Sequence, residues 1–199
     1  VAVVSGTENL IRSNTVFDNE LIGIDLGNDG PTANDHNQLD ADPGANNLQN
    51  FPTITSVSST AGIIGIAGML TSTPETTFEL EFFSNTPPTA SSTGQGRTFL
   101  GALDDAANPI QTDGTGTVSF HFTSTVPVTD LCITSTATHA SSTSEFSPRS
   151  RYFLRTSSPS IPPIPAGSFA LLLYTIPEAQ SPLLKCNEDL FIVVNGDRA

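Results

Sequence analysis

Thr77-Phe78-Glu79-Leu80-Glu81-Phe82-Phe83-Ser84 opens with strict alternation, which places Phe78, Leu80 and Phe82 on one face of a β-strand and Glu79 and Glu81 on the other. Val118-Ser119-Phe120-His121-Phe122 repeats the pattern, with His121 turned outward between two core phenylalanines. Working outward from these two runs, short β-prone stretches predict strands at residues 53–58, 62–70, 77–84, 98–103, 116–123, 131–138 and 144–148. Between them, Thr73-Pro74, Pro87-Pro88, Asp104-Asp105 and Thr112-Asp113-Gly114 supply preset or positive φ and local side-chain hydrogen bonds. Seven short strands, with no room for a helix of ordinary length, predict an Ig-like β-sandwich over residues 53–152.

Residues 1–26 carry a different pattern: Asn9, Asn14 and Asn19 stand five apart, Ile11 and Val16 follow the first two, and Gly23-Ile24-Asp25-Leu26 closes the stretch. This is no helical period. It fits a coil of a parallel β-helix, with Asn at left-handed bends and stacked Asn amides bonding between rungs, or a pair of ordinary strands with Asn turns. Residues 27–52 hold almost no apolar side chain and every common turn former, and read as a loop and a boundary. After Tyr152 the text changes again: residues 157–165 are a Pro-rich extended linker, and residues 168–175 and 189–194 are two more β-prone runs that need a partner. That tail (153–199) either folds back, pinned by a Cys132–Cys186 disulfide, or pairs with another copy of the chain head to tail in a filament.

Seven Lys+Arg against 20 Asp+Glu give the 199-residue chain a net charge of −13, which excludes a basic phosphate-reading face and hence direct nucleic-acid binding. Ser and Thr make up about a quarter of the residues, a balance common in secreted β-proteins. The most apolar run, residues 169–176, is about half of what a membrane-spanning helix needs, and Pro165 and Pro177 bracket it.

Three strings, Gly23-Ile24-Asp25-Leu26-Gly27-Asn28-Asp29-Gly30, Asn46-Asn47-Leu48-Gln49-Asn50-Phe51-Pro52 and Thr143-Ser144-Glu145-Phe146-Ser147, occur in this order. Through them the stretch from Asn9 to about Pro148 resembles the C-terminal portion of bacterial secreted right-handed parallel β-helix repeat proteins of the CSLREA type. The resemblance implies that the last β-helix coil runs into a β-sandwich, and that the protein is extracellular or displayed on the cell surface. It implies no particular reaction. The tail beyond Arg151 departs from that pattern.

For chemistry, the acidic loop is the best candidate. Asp25, Asp29, Asp35, Asp40 and Asp42, with Asn28, Asn34 and Asn37, are hard oxygen donors of the kind calcium takes in flexible geometry, although the spacing is not that of an EF-hand. The alternative is a solvated acidic turn. Catalysis finds little support. Asp104-Asp105 point to opposite faces of a strand, Asp40 and Asp42 have no basic neighbour, His36, His121 and His139 are scattered, and no Gly-x-Ser-x-Gly occurs. The expectation is therefore an all-β, non-catalytic, secreted or surface-displayed structural or adhesive module, with itself or surface glycans as partners. The competing reading is the end of a carbohydrate-active β-helix enzyme whose sandwich binds carbohydrate.

Overall fold

The computed structural model describes residues 1–35, 42–60, 62–86, 94–104, 109–127, 132–151 and 153–154. The linker and strand runs expected in the tail, together with His36, Asp40, Asp105 and Cys186, lie outside the described residues. Cys132 is fully buried at the start of a strand, and the expected pairing with Cys186 is thus not described.

The chain is all-β, with several antiparallel sheets, none of them closed. In chain order the strands are β1 (Ala2–Val3), β2 (Asp25–Leu26), β3 (Thr53–Thr60), β4 (Ile63–Thr71), β5 (Thr77–Asn85), β6 (Thr98–Leu103), β7 (Ile110–Gln111), β8 (Thr117–Ser124), β9 (Cys132–His139), β10 (Ser142–Thr143), β11 (Ser150–Arg151) and β12 (Phe153–Leu154). One sheet runs β12-β3-β4-β8. The other runs β10-β9-β5-β6, with β7 paired to β5 and β11 to β9. β1 and β2 form a separate parallel pair.

Six of the seven expected strands form within a residue or two of their sequence bounds; β4 and β8 show the period-two burial of a sheet with one packed face, whereas β9, buried from Cys132 to Thr138, is covered on both. The seventh, residues 144–148, does not. Ser144 N donates to Ala137 O (2.9 Å) and Ser147 N to Ser135 O (2.8 Å), as a neighbour of β9 should. The return bonds, from Ala137 N and Ser135 N, end on Ser144 Oγ and Ser147 Oγ (both 3.0 Å). Hydroxyls have replaced peptide carbonyls as acceptors, so the segment follows β9 without becoming a strand.

The two antiparallel sheets share one apolar core. Ile54, Ile64, Ile66, Leu70, Phe120 and Phe122 come from one sheet, and Phe78, Leu80, Phe82, Leu100, Ile133 and Ala137 from the other. Phe82 joins the two layers, stacked on Phe122 with ring centroids 4.5 Å apart and tilted against Phe120 at 5.5 Å. At Gly101 the backbone lies so close to Phe122 that a β-carbon would come within 2.8 Å of its ring, and φ is +138°, so only glycine fits.

β5 also works on its other face. Phe83 enters a second core with Val3, Ile24, Leu26, Ala45 and Phe146, which fastens residues 1–35 and the 42–52 stretch over the β9-β5-β6 sheet. Phe146 packs edge-on to Phe83 at 5.3 Å, and β-carbons placed on Gly23, Gly94 or Gly96 would fall within 2.9 Å of it. Gly23 and Gly96 therefore close directly onto the ring, and Gly94 onto the backbone and Cβ that carry it.

Candidate functional site

The polar residues that the fold gathers lie in the seam between residues 1–35 and the β9-β5-β6 sheet. The N-terminal segment bends at regular intervals. Glu8, Ser13 and Asp18 hold left-handed angles (φ 64°, 56° and 57°), each immediately before one of the three evenly spaced asparagines. The expected bend thus exists with the left-handed residue displaced by one. Asn9 and Asn14 instead use their amides to close the bend, Asn9 Nδ2 donating to Gly6 O (3.1 Å) and Asn14 Nδ2 to Arg12 O (2.7 Å).

A chain that bends this often cannot form a ladder, and its peptide groups need other partners. Side chains supply them. Asn46 Oδ1 accepts from Asn9 N (3.0 Å) while Asn46 Nδ2 donates to Asn9 O (2.9 Å). Gln95 does the same for Asn19, at 3.1 Å and 2.9 Å, and Asn50 for Asp35, at 3.1 Å and 3.2 Å. Asn34 pairs with Phe51, at 3.0 Å and 2.7 Å. Four side-chain amides therefore each dock one residue's peptide groups in both directions, as an adjacent strand would.

Asn46 stands in a left-handed turn. Asn46, Asn47 and Leu48 have φ of 47°, 55° and 50°, and the turn is closed by Asn47 N to Gly44 O (3.2 Å) and Gln49 N to Asn46 O (3.2 Å). Successive left-handed residues cost roughly 1–2 kcal/mol each outside glycine and asparagine. The cost is borne here because it aims Asn46, which is fully buried, at both Asn9 and Thr143 O (2.9 Å).

Two buried carboxylates complete the seam. Glu81 accepts from Ser13 N (3.0 and 3.1 Å), and Glu145 accepts from Leu26 N and Thr32 N (both 2.9 Å) and from the Thr32 hydroxyl (3.2 Å). Burial pushes both carboxyls above the ordinary range. The hydrogen bonds pull the other way, as does the Arg12 charge near Glu81, whereas Glu79 near Glu81 and Asp25 near Glu145 add to the upward shift. Neither residue was a sequence candidate. Alternation correctly turned Glu81 away from the main core; no local signal says that the opposite face is covered by residues sixty-eight positions away.

Of the expected aspartate ligands, Asp25, Asp29, Asp35 and Asp42 are described, and they bond in two places. Asp25 Oδ1 accepts from Asp29 N (3.1 Å) and Gly30 N (3.3 Å), a local turn. Asp35 and Asp42 meet instead, a hydrogen bond between their carboxyls holding Asp42 above the ordinary carboxylate range, with burial and the Asp35 charge adding to the shift. Asn50 Nδ2 also donates to Asp35 Oδ1 (3.1 Å). Among the described residues, no three His, Cys, Asp or Glu side chains come together as a metal-holding group.

Other groups weighed for chemistry are apart. His121 is exposed between buried Phe120 and Phe122, and His139 Nδ1 lies 3.0 Å from Thr77 O beside the Phe78 ring. Arg12 bridges Glu79 and Asp104, the latter at 3.3 Å. Arg12, Glu79 and His139 line, with Leu10, Thr138 and Ser141, an open cavity of about 350 Å³. Among the described residues, no helix is long and apolar enough to cross a membrane. The chain matches no family model and no curated protein.

Proposed function

We propose that the chain is a non-catalytic structural or adhesive module of a bacterial secreted or surface protein, in which the terminal coil of a right-handed parallel β-helix is fastened to an Ig-like β-sandwich. One observation carries the reading. Glu81, Glu145, Asn46 and Gln95, the buried polar side chains that an enzyme would turn toward a substrate, are committed to peptide groups of the N-terminal segment. Their chemistry is that of a fastening. The coil reading draws on the parallel register Ala2↔Asp25, a separation of 25 − 2 = 23 residues, and on the bends at Glu8, Ser13 and Asp18. The sandwich reading draws on the core shared by two antiparallel sheets. The three strings that resemble CSLREA-type proteins contain Asn46, Asn50 and Glu145, all of them participants in this fastening.

Calcium belongs to the same proposal, as the ion that lies between the adjoining carboxyls of Asp35 and Asp42, since two such carboxylates repel unless something positive separates them. Surface glycans are the proposed partner, with the Leu10–Arg12–Glu79–His139 cavity as the place for a neutral saccharide: it offers one apolar wall and donors and acceptors of both signs. The deciding experiment presents the chain to a polysaccharide panel. The module reading expects neither new reducing ends nor unsaturated uronate; turnover that disappears in Asp42→Asn or Asp104→Asn would establish the enzyme reading instead.

A further inference from the structure

The cavity at the end of the seam is walled mainly by the β9-β5 sheet. Six of its eight lining residues lie on β5, on β9 and in the two-residue turn that follows β9, and Leu10 and Arg12 supply the rest. That turn is Ala140-Ser141, which joins His139 to Ser142, paired partners across the hairpin. Both turn residues hold left-handed angles, φ 45° and 66°. A two-residue turn of this hand is the natural place for asparagine and glycine, and alanine or serine is strained there. Turn stability therefore does not account for this pair.

Its surroundings do. Ser142 Oγ accepts from Glu8 N and Thr143 Oγ1 from Ile11 N (both 3.0 Å), so the hydroxyls that follow the turn belong to the seam. Ser141 is exposed in the cavity wall, and its hydroxyl bonds to no other described residue. His139 is fixed by two contacts: Nδ1 lies 3.0 Å from Thr77 O, and the ring is tilted against Phe78 with centroids 5.5 Å apart. A carbonyl only accepts, so Nδ1 carries the hydrogen, and Nε2 of the neutral ring is left as an acceptor. Arg12 offers no spare charge, since its guanidinium bridges Glu79 and Asp104.

The chemistry that fits is a group able to donate and accept at once. A hydroxyl gives its hydrogen to His139 Nε2 and takes one from Ser141 Oγ, whereas a carboxylate has no hydrogen for Nε2. A carboxylate also meets Arg12, Glu79 and Asp104, which together carry one net negative charge. Given the reading of this cavity as a saccharide site, we propose that His139 and Ser141 are its specificity-determining pair, which reads the hydroxyls of a neutral sugar and rejects a uronate. The left-handed turn is kept because it presents the Ser141 hydroxyl to the cavity. The Asn-Gly pair that would relax the turn would delete that hydroxyl.

Calorimetric titration of the full chain with trisaccharides of glucose, mannose and galactose, and with trigalacturonate, reads the selectivity. At least one neutral sugar is expected to bind at millimolar concentration, and trigalacturonate at least tenfold more weakly. Ser141→Ala is expected to weaken the neutral sugar about fivefold, the worth of one neutral hydrogen bond, at an unchanged melting temperature. Ala140→Asn combined with Ser141→Gly is expected to weaken it at least as much while raising the melting temperature, a split that a merely structural turn would not give. On the unaltered chain, the Nε2 nitrogen resonance of His139 is expected to move upfield in step with sugar occupancy. If no neutral sugar binds, the saccharide reading of the cavity falls and the specificity pair with it. If one binds while Ser141→Ala binds it like the parent, trigalacturonate competes equally, or the His139 resonance stays in place, the cavity remains a saccharide site and the proposal is overturned.

Discussion

The side-chain amide of Gln95 is joined to the peptide groups of Asn19 in both directions, Nε2 donating to Asn19 O at 2.9 Å and Oε1 accepting from Asn19 N at 3.1 Å. Gln95 Nε2 also reaches Leu21 O at 3.1 Å. A single side chain thus does what a strand edge does elsewhere, and it does so for a segment whose bends at Ser13 and Asp18 prevent continuous pairing. Asn46, Asn50 and Asn34 repeat the device.

Gln95→Ala removes this joint, and water reaches the freed Asn19 groups, so a loss of about 1 kcal/mol is expected. Asn46→Ala is worse, about 3 kcal/mol, because it strands buried partners and places alanine at φ 47°. Hydrogen exchange should locate both effects in residues 6–24 and leave β4 and β8 unchanged.

Glu145 gives a pH dependence whose sign follows from burial. Its folded pKa is raised above 4.5, so the folded chain holds the proton more firmly than the unfolded one, and the associated stability is complete below 4.5 and declines as pH climbs through the folded value. Urea titrations from pH 4.5 to 7 should show the parent losing stability relative to Glu145→Gln over that interval. Asp113 acts in the opposite sense: hydrogen bonds from Thr115 and Thr117 lower its pKa below 3.8, and its contribution, present above 3.8, is lost as pH falls through the folded value.

Phe146→Ala empties the space between Gly23, Gly96 and Phe83, and should cost about 3–5 kcal/mol. Gly96→Ala errs the other way, placing a methyl group 2.7 Å from the Phe146 ring and 2.9 Å from Phe83, with an expected cost of about 1–3 kcal/mol. Thermal melts of the two variants should fall together, since one ring underlies both.

The β9–β10 hairpin turns on Ala140 and Ser141, at φ 45° and 66°, where asparagine and glycine are the favoured pair. The double change Ala140→Asn, Ser141→Gly is expected to stabilise the chain by about 1 kcal/mol, read as a rise in denaturant midpoint at constant slope.

Calcium is expected to raise the melting temperature at about millimolar concentration, the regime of extracellular modules, and to lose this effect in Asp35→Asn combined with Asp42→Asn. Calorimetric titration of a chelated sample provides the check; no heat and no thermal shift would remove calcium from the proposal.

The sheets were legible because alternation is a local signal: Phe78, Leu80 and Phe82 declare one buried face whatever lies elsewhere. What covers the other face is not a local property. Glu81 reads as a surface residue until Ser13 is known to lie on it, and Glu145 until Leu26 and Thr32 do. In the acidic loop the sequence places five aspartates within eighteen positions but not their partners: Asp25 accepts from its own turn and Asp35 from Asn50. The asparagine period correctly marked the bends and misplaced the left-handed residue by one, since the asparagines close the turn with their amides.

The seam also dictates a sequence of events in synthesis. Glu8 is bonded to Ser142, 134 positions later, Ile11 to Thr143 after 132, and Leu26 to Glu145 after 119. Glu8 and its neighbours must therefore wait for a segment made about 134 positions later, about 7–27 s at about 5–20 residues per second, with their apolar side chains in water. Its attachment is the step of longest loop closure and sets the pace of maturation. A chaperone that holds residues 1–26 during that interval would act on yield without touching the finished molecule.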